Sequence, residues 1–141
     1  MIFFRRKNEY QKYLLLALII WGGLFFISPA EAATVSLRSS AATVNVGGTF
    51  TVKALVNTQN ESINNVESGI NFPNDLIEVT SVSTQGSILS LWVEQPNFSN
   101  TSGQVSFNGG VPNPGYNGSG GQIVTISFKA KSPGQATIYF S

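Results

Sequence analysis

The chain has 141 residues, a formal net charge of +1, and neither histidine nor cysteine. The missing residue types exclude the commonest general base, thiol nucleophiles, the usual zinc ligands and disulfide bonds. The near-neutral charge argues against a nucleic-acid partner, which requires a basic patch. The length suits one ordinary domain whose core depends on packed Val, Ile and Phe side chains.

Residues 1–32 have the three parts of an export signal. A basic leader is followed by an apolar run from Leu14 to Ile27 and then by small residues, so we expect cleavage between Ala32 and Ala33. The apolar run is shorter than the roughly 20 residues that span a bilayer. An uncleaved signal anchor is the alternative. The sequence therefore predicts a secreted or cell-surface protein, with membrane contact only through this segment or through a C-terminal anchor missing from the sequence.

After the signal, short runs of alternating apolar and polar residues are separated by Gly, Asn, Ser and Pro. This period of two predicts half-buried strands, and no run shows helical spacing. The first two predicted strands, Thr43 to Val46 and Thr49 to Asn57, flank a turn at Gly47-Gly48.

The same pattern continues to the end of the chain. Later strands are expected at 64–72, Leu76 to Val82, Ile88 to Val93, around Val105 and Phe107, and at 124–130, with a last inward face of Ala136, Ile138 and Phe140. About eight strands predict an all-β, two-sheet antiparallel sandwich with Phe50, Ile70, Ile126 and Phe128 in one core. Because the sequence stops inside the last of them, we expect a C-terminally truncated domain that lacks a closing strand.

Four segments in this order resemble the cohesin domains of bacterial cell-surface and cellulosome scaffolds. They are TVNVGGTFTVKALVN, NNVESGINFPNDLIEVTSV, GQVSFNGG and GSGGQIVTISFKAKSPGQATIYFS. The resemblance spans residues 34–141 and implies a jelly-roll sandwich of nine strands, close to carbohydrate-binding modules. Its ninth strand, absent here, would pair beside the first. It also implies a non-catalytic role without a cofactor: one sheet face docks a dockerin, a calcium-loaded helical partner on another secreted protein, often a polysaccharide-degrading enzyme.

The resemblance implies where a partner would bind. Dockerin contacts in the family involve outward polar residues on the strand that enters a Tyr-Asp-Pro corner. This chain replaces that corner with residues 72–75, Phe-Pro-Asn-Asp, and the positions counted back from it are Asn65, Glu67, Gly69 and Asn71.

Two alternatives use other features. Direct carbohydrate binding would employ aromatic rings outside the core, and the candidates are Trp92, Tyr116 and Tyr139. A purely structural surface or adhesion repeat would bind neither ligand. We expect no catalytic site, because the five acids after the signal are scattered over separate strands and loops, and no metal site, because no oxygen ligands cluster at loop spacing.

Overall fold

The computed structural model describes residues 32–141, so almost all of the predicted signal lies outside the described residues. Within them the chain forms eight strands, and no helix is long and apolar enough to cross a membrane. The strands are β1 (Thr34–Ser39), β2 (Thr49–Asn57), β3 (Asn65–Asn71), β4 (Ile77–Ser83), β5 (Leu91–Ser99), β6 (Gln104–Gly110), β7 (Gly121–Ala130) and β8 (Tyr139–Phe140).

The strands form two antiparallel sheets of four, which confirms the predicted sandwich. The back sheet has the order β1-β2-β7-β4, and the front sheet has the order β5-β6-β3-β8. Every second side chain of β2, β3, β6 and β7 turns inward, and most of these side chains are apolar. Each of these strands therefore alternates between buried and more exposed residues.

The predicted core residues meet between the sheets. Ile70 of the front sheet and Ile126 and Phe128 of the back sheet are fully buried in one cluster. Phe50 is half-buried and stacks on Phe128 with ring centroids 5.4 Å apart, while Phe72 meets Phe128 edge to face at 5.3 Å. Burial of each such side chain stabilises the fold by roughly 1.5–3 kcal/mol.

The first strand lies earlier than the sequence predicted. Residues 43–46 are not a strand, and Val46 is 58% exposed. Thr34–Ser39 instead pairs with β2 from Thr34 opposite Asn57 to Ser39 opposite Val52, while β7 occupies the other edge of β2. Because each edge of a strand accepts one neighbour, residues 43–46 have no place in the ladder. The prediction of a strand there was wrong.

Two further boundaries differ from the predictions. β5 begins at Leu91 rather than at residue 88, and it continues through Pro96 because two β-bulges accommodate the irregular pairing with β6. The last strand contains only Tyr139 and Phe140, and Ala136, predicted to face inward, is exposed.

An open cleft of about 800 Å³ lies between residues 41–46 and residues 132–138. It reaches the core side chains Phe50, Val52 and Ile77. In the described part of the chain, β1 has no second strand along its outer edge. The closing strand that the resemblance implies stays a prediction.

Candidate functional site

The outward side of the front sheet, here called the front face, contains the four positions predicted on β3. Asn65, Glu67, Gly69 and Asn71 alternate with the buried Val66 and Ile70, so they share one side of the strand. Because side chains two residues apart on a strand project in parallel, these positions form one column of the front face.

The turn after β3 fixes the end of that column. Leu76 and Ile77 donate backbone hydrogen bonds to the carbonyl of Pro73, and the amide of Asn74 donates to the carbonyls of Asn100 and Thr101. These contacts tie the predicted corner to the loop after β5, and the last residue of β3 is therefore held in place.

The register of the front sheet adds residues that the sequence analysis missed. Each outward residue of β3 lies in a row with one residue of β6 and one of β5. The rows are Asn65–Gly110–Leu91, Glu67–Asn108–Glu94, Gly69–Ser106–Asn97 and Asn71–Gln104–Ser99, and Tyr139 of β8 pairs with Asn71 on the opposite edge. Alternation along β6 indicates which of its residues point outward, but only the register shows which residues become neighbours.

Hydrogen bonds between strands orient the two carboxylates of this surface. The Asn108 amide donates to Glu67 Oε2 at 2.9 Å, and the Ser106 hydroxyl donates to Glu94 Oε1 at 2.7 Å. Asn108 Oδ1 is buried and has no hydrogen-bond partner among the described residues. Glu67 and Glu94 are the only charged side chains in the rows of the front face, which is therefore acidic.

The beginning of β5, at one edge of the front face, is apolar. Leu91 is 59% exposed, and Val93, in the bulge between Trp92 and Glu94, is 80% exposed. Exposed apolar side chains beside polar ones are typical of protein-binding surfaces. The front face thus combines an acidic centre with an apolar margin.

The outward side of the back sheet, here called the back face, has the opposite charge. Arg38 and Lys53 lie directly opposite each other on β1 and β2, and Lys129 on β7 lies opposite Glu78 on β4. The back face therefore carries more cations than anions, and the front face carries only anions. The two sides of the sandwich present different chemistry to a partner.

The three aromatic residues considered for carbohydrate binding do not share a surface. Trp92 packs against the core over Gly109, and Tyr116 packs on Gly121 and bridges to Ile63 in a loop. Only Tyr139 is well exposed, at 55%. The three rings lie on separate elements, and carbohydrate binding by them stays a prediction.

The sequence predicts neither a catalytic nor a metal-binding site after the signal, which is the part of the chain that the structure describes. Residues 32–141 contain no group of three or more His, Cys, Asp or Glu side chains that could hold a metal ion. Ala32 and Ala33, which flank the predicted cleavage site, are exposed and lie before β1.

No family model matches the sequence, and no curated protein matches it. Solved structures do match the fold. The second type II cohesin module of the adaptor ScaA scaffoldin of Acetivibrio cellulolyticus is similar with a TM-score of 0.64 and 12% identity, covering 78% of this chain and 71% of that module.

Two other cohesins show the same likeness. The sixth cohesin of scaffoldin B of Acetivibrio cellulolyticus, solved in complex with a mutant Cel5 dockerin, has a TM-score of 0.60 and 17% identity, with coverage of 79% of this chain and 82% of that chain. CaCohA2 of Clostridium acetobutylicum has a TM-score of 0.59 and 16% identity, with coverage of 77% and 74%. The chain therefore has the cohesin fold, as the sequence resemblance implied.

Proposed function

We propose that the mature chain is an exported, non-catalytic docking module that receives a dockerin-type pair of helices on its front face. The observation that carries the proposal is the front face itself, a surface across three strands with an acidic centre and exposed apolar side chains at the beginning of β5. The fold supports it, because cohesins of this fold have been solved in complex with dockerins. A partner borne on a polysaccharide-degrading enzyme would link the chain to extracellular polysaccharide breakdown.

The spacing of the rows suits a helix laid along the strands. On β3 and β6 successive rows are two residues apart, a distance of about 6.8 Å. On β5 the two bulges set successive members of the first three rows three residues apart. Four residues of an α-helix rise about 6 Å. Side chains at positions i and i+4 of a helix can therefore meet neighbouring rows. Gly110 in the first row has no side chain and leaves room for the helix to lie close to the sheet.

The chemistry of the front face defines what the partner must present. Glu67 and Glu94 lie in the same row and attract a basic side chain, while Leu91 and Val93 offer apolar area to an aliphatic or aromatic one. Binding energy at protein interfaces concentrates in a few such anchors. We therefore expect the docking helix to have a basic residue one turn from an apolar residue.

The test is titration calorimetry of the chain, without its signal, against a panel of calcium-loaded dockerins that includes the dockerins of the solved complexes. At least one dockerin should bind saturably. Replacing both Asn65 and Glu67 by Ala should weaken that binding by at least about tenfold, a loss of roughly 1.4 kcal/mol.

A control on the other face of the sandwich tests whether the loss of binding is local to the front face. Thr51→Ala with Lys53→Ala places the same number of changes on the outward side of β2, and it should leave the dissociation constant unchanged. If no dockerin in the panel binds, the docking function is contradicted, and the structural-repeat alternative is favoured. Equal losses in the two double variants would contradict the assignment to the front face.

A further inference from the structure

A small pocket lies where β3 ends and β8 begins, at the opposite edge of the front sheet from Leu91. Its volume is about 320 Å³. Six residues line it: Asn71, Phe72, Pro73, Gln135, Thr137 and Tyr139. None of them carries a charge, so the pocket is suited to a neutral ligand.

The polar side chains of this pocket have unused hydrogen-bonding capacity. Those of Asn71, Gln135, Thr137 and Tyr139 make no hydrogen bond to any described residue, whereas the nearby Asn74 amide is held by two backbone carbonyls. Amides and hydroxyls both donate and accept hydrogen bonds. The pocket therefore presents two amides and two hydroxyls to whatever enters it.

An aromatic ring stands beside these groups. Tyr139 is 55% exposed, and Pro73 supplies a second apolar surface. An exposed ring offers an apolar face with a polar tip, and small-molecule pockets combine apolar walls with a few polar groups that set orientation. A sugar ring has the matching chemistry, with apolar C–H faces and a rim of hydroxyls.

We propose that this pocket binds one sugar ring of a neutral glycan. The Tyr139 ring covers a C–H face of the sugar, and the Asn71, Gln135 and Thr137 side chains bond its hydroxyls. The pocket shares Asn71 with the predicted docking column, but the acidic row of Glu67 and Glu94 lies two rows away along β3. This proposal assigns carbohydrate binding to one pocket instead of three separate aromatic residues. It does not depend on dockerin binding.

The test is a nuclear magnetic resonance titration of the isotopically labelled mature chain with neutral oligosaccharides: cellohexaose, xylohexaose, mannohexaose and laminarihexaose. At least one should cause saturable shifts confined to backbone amides of residues 71–72 and 135–139, with a dissociation constant in the range of about 1 mM for a single-ring contact. The anionic hexagalacturonate should cause weaker shifts at the same positions.

Variants locate the contact. Tyr139→Ala should weaken binding by at least about tenfold, whereas Tyr139→Phe, which keeps the ring, should stay within about threefold of the parent. Gln135→Ala with Thr137→Ala lies outside the strands and should also weaken binding without unfolding the sheet. Val46→Ala, at an exposed position that does not line this pocket, should leave the glycan dissociation constant unchanged.

Three results would overturn the proposal. They are an absence of shifts with all four neutral oligosaccharides, parental binding by both Tyr139→Ala and the Gln135/Thr137 variant, and a response to hexagalacturonate alone.

Discussion

Glu67 on β3 accepts a hydrogen bond of 2.9 Å from the side chain of Asn108 on β6. The two residues face each other across the sheet, so the backbone register fixes the position of a carboxylate at the centre of the front face. A carboxylate held in this way needs less ordering when a partner binds, because side-chain immobilisation is part of the cost of association.

Asn108→Ala should weaken dockerin binding while leaving stability nearly unchanged. The variant removes the hydrogen-bond donor that orients Glu67. The loss of that hydrogen bond is worth about 1 kcal/mol, or roughly a fivefold increase in the dissociation constant. It also removes the buried Oδ1 atom that lacks a partner, so the loss to the fold is offset. Calorimetry and urea denaturation measure the two effects. A large loss of stability with unchanged affinity would show that Asn108 serves the fold instead.

Phe128→Ala should destabilise the fold by about 3–5 kcal/mol, the usual range for a buried aromatic side chain. Phe128 is fully buried, stacks on Phe50 and meets Phe72 edge to face. Val46→Ala, at an exposed position, is the control and should cost little. Equal midpoints in urea for the two variants would contradict the described core.

Gly103→Ala should destabilise the chain more than Gly120→Ala. Both glycines have positive φ, +67° and +71°, and an L-residue there costs roughly 1–2 kcal/mol. At Gly120 an added Cβ meets nothing within 4 Å, whereas at Gly103 it would clash with the carbonyl oxygen of Phe72. The difference in unfolding free energy between the variants isolates that clash. Equal unfolding free energies for the two variants would contradict the close approach of Gly103 to Phe72.

Expression of the full chain in an exporting bacterium tests the predicted signal. The mature protein should appear outside the cytoplasm and begin at Ala33, because small residues at 30 and 32 match the cleavage pattern. Mass spectrometry of the exported protein gives the first residue. A chain that retains residues 1–32 would instead support the uncleaved anchor.

Alternation along the sequence was enough to predict the strands with one clearly buried side. β2 and β7 place an apolar residue at every second position because the opposite sheet covers one of their faces, and β3 does the same except at Ser68. The outward column of Asn65 and Glu67 follows directly from the same alternation.

The first strand could not be located in this way. Thr34–Ser39 and residues 43–46 both alternate, and the choice between them depends on which segment reaches the outer edge of β2. That pairing is a contact between segments, and the local pattern of apolar residues does not encode it.

The remainder of the front face was missed for a related reason. Glu94 and Leu91 become neighbours of the β3 column only through the register with β6, and two bulges in β5 interrupt its alternation. Bulges re-aim side chains locally, so a strict period of two fails in that strand.

The most direct test of the docking surface is chemical-shift mapping on the labelled mature chain with a dockerin from the panel. We expect perturbed amides along β3, β6 and β5, centred on Glu67, Asn108 and Glu94, and unperturbed amides around Arg38 and Lys53 on the back face. Perturbations centred on the back face, or none with any dockerin, would contradict the account.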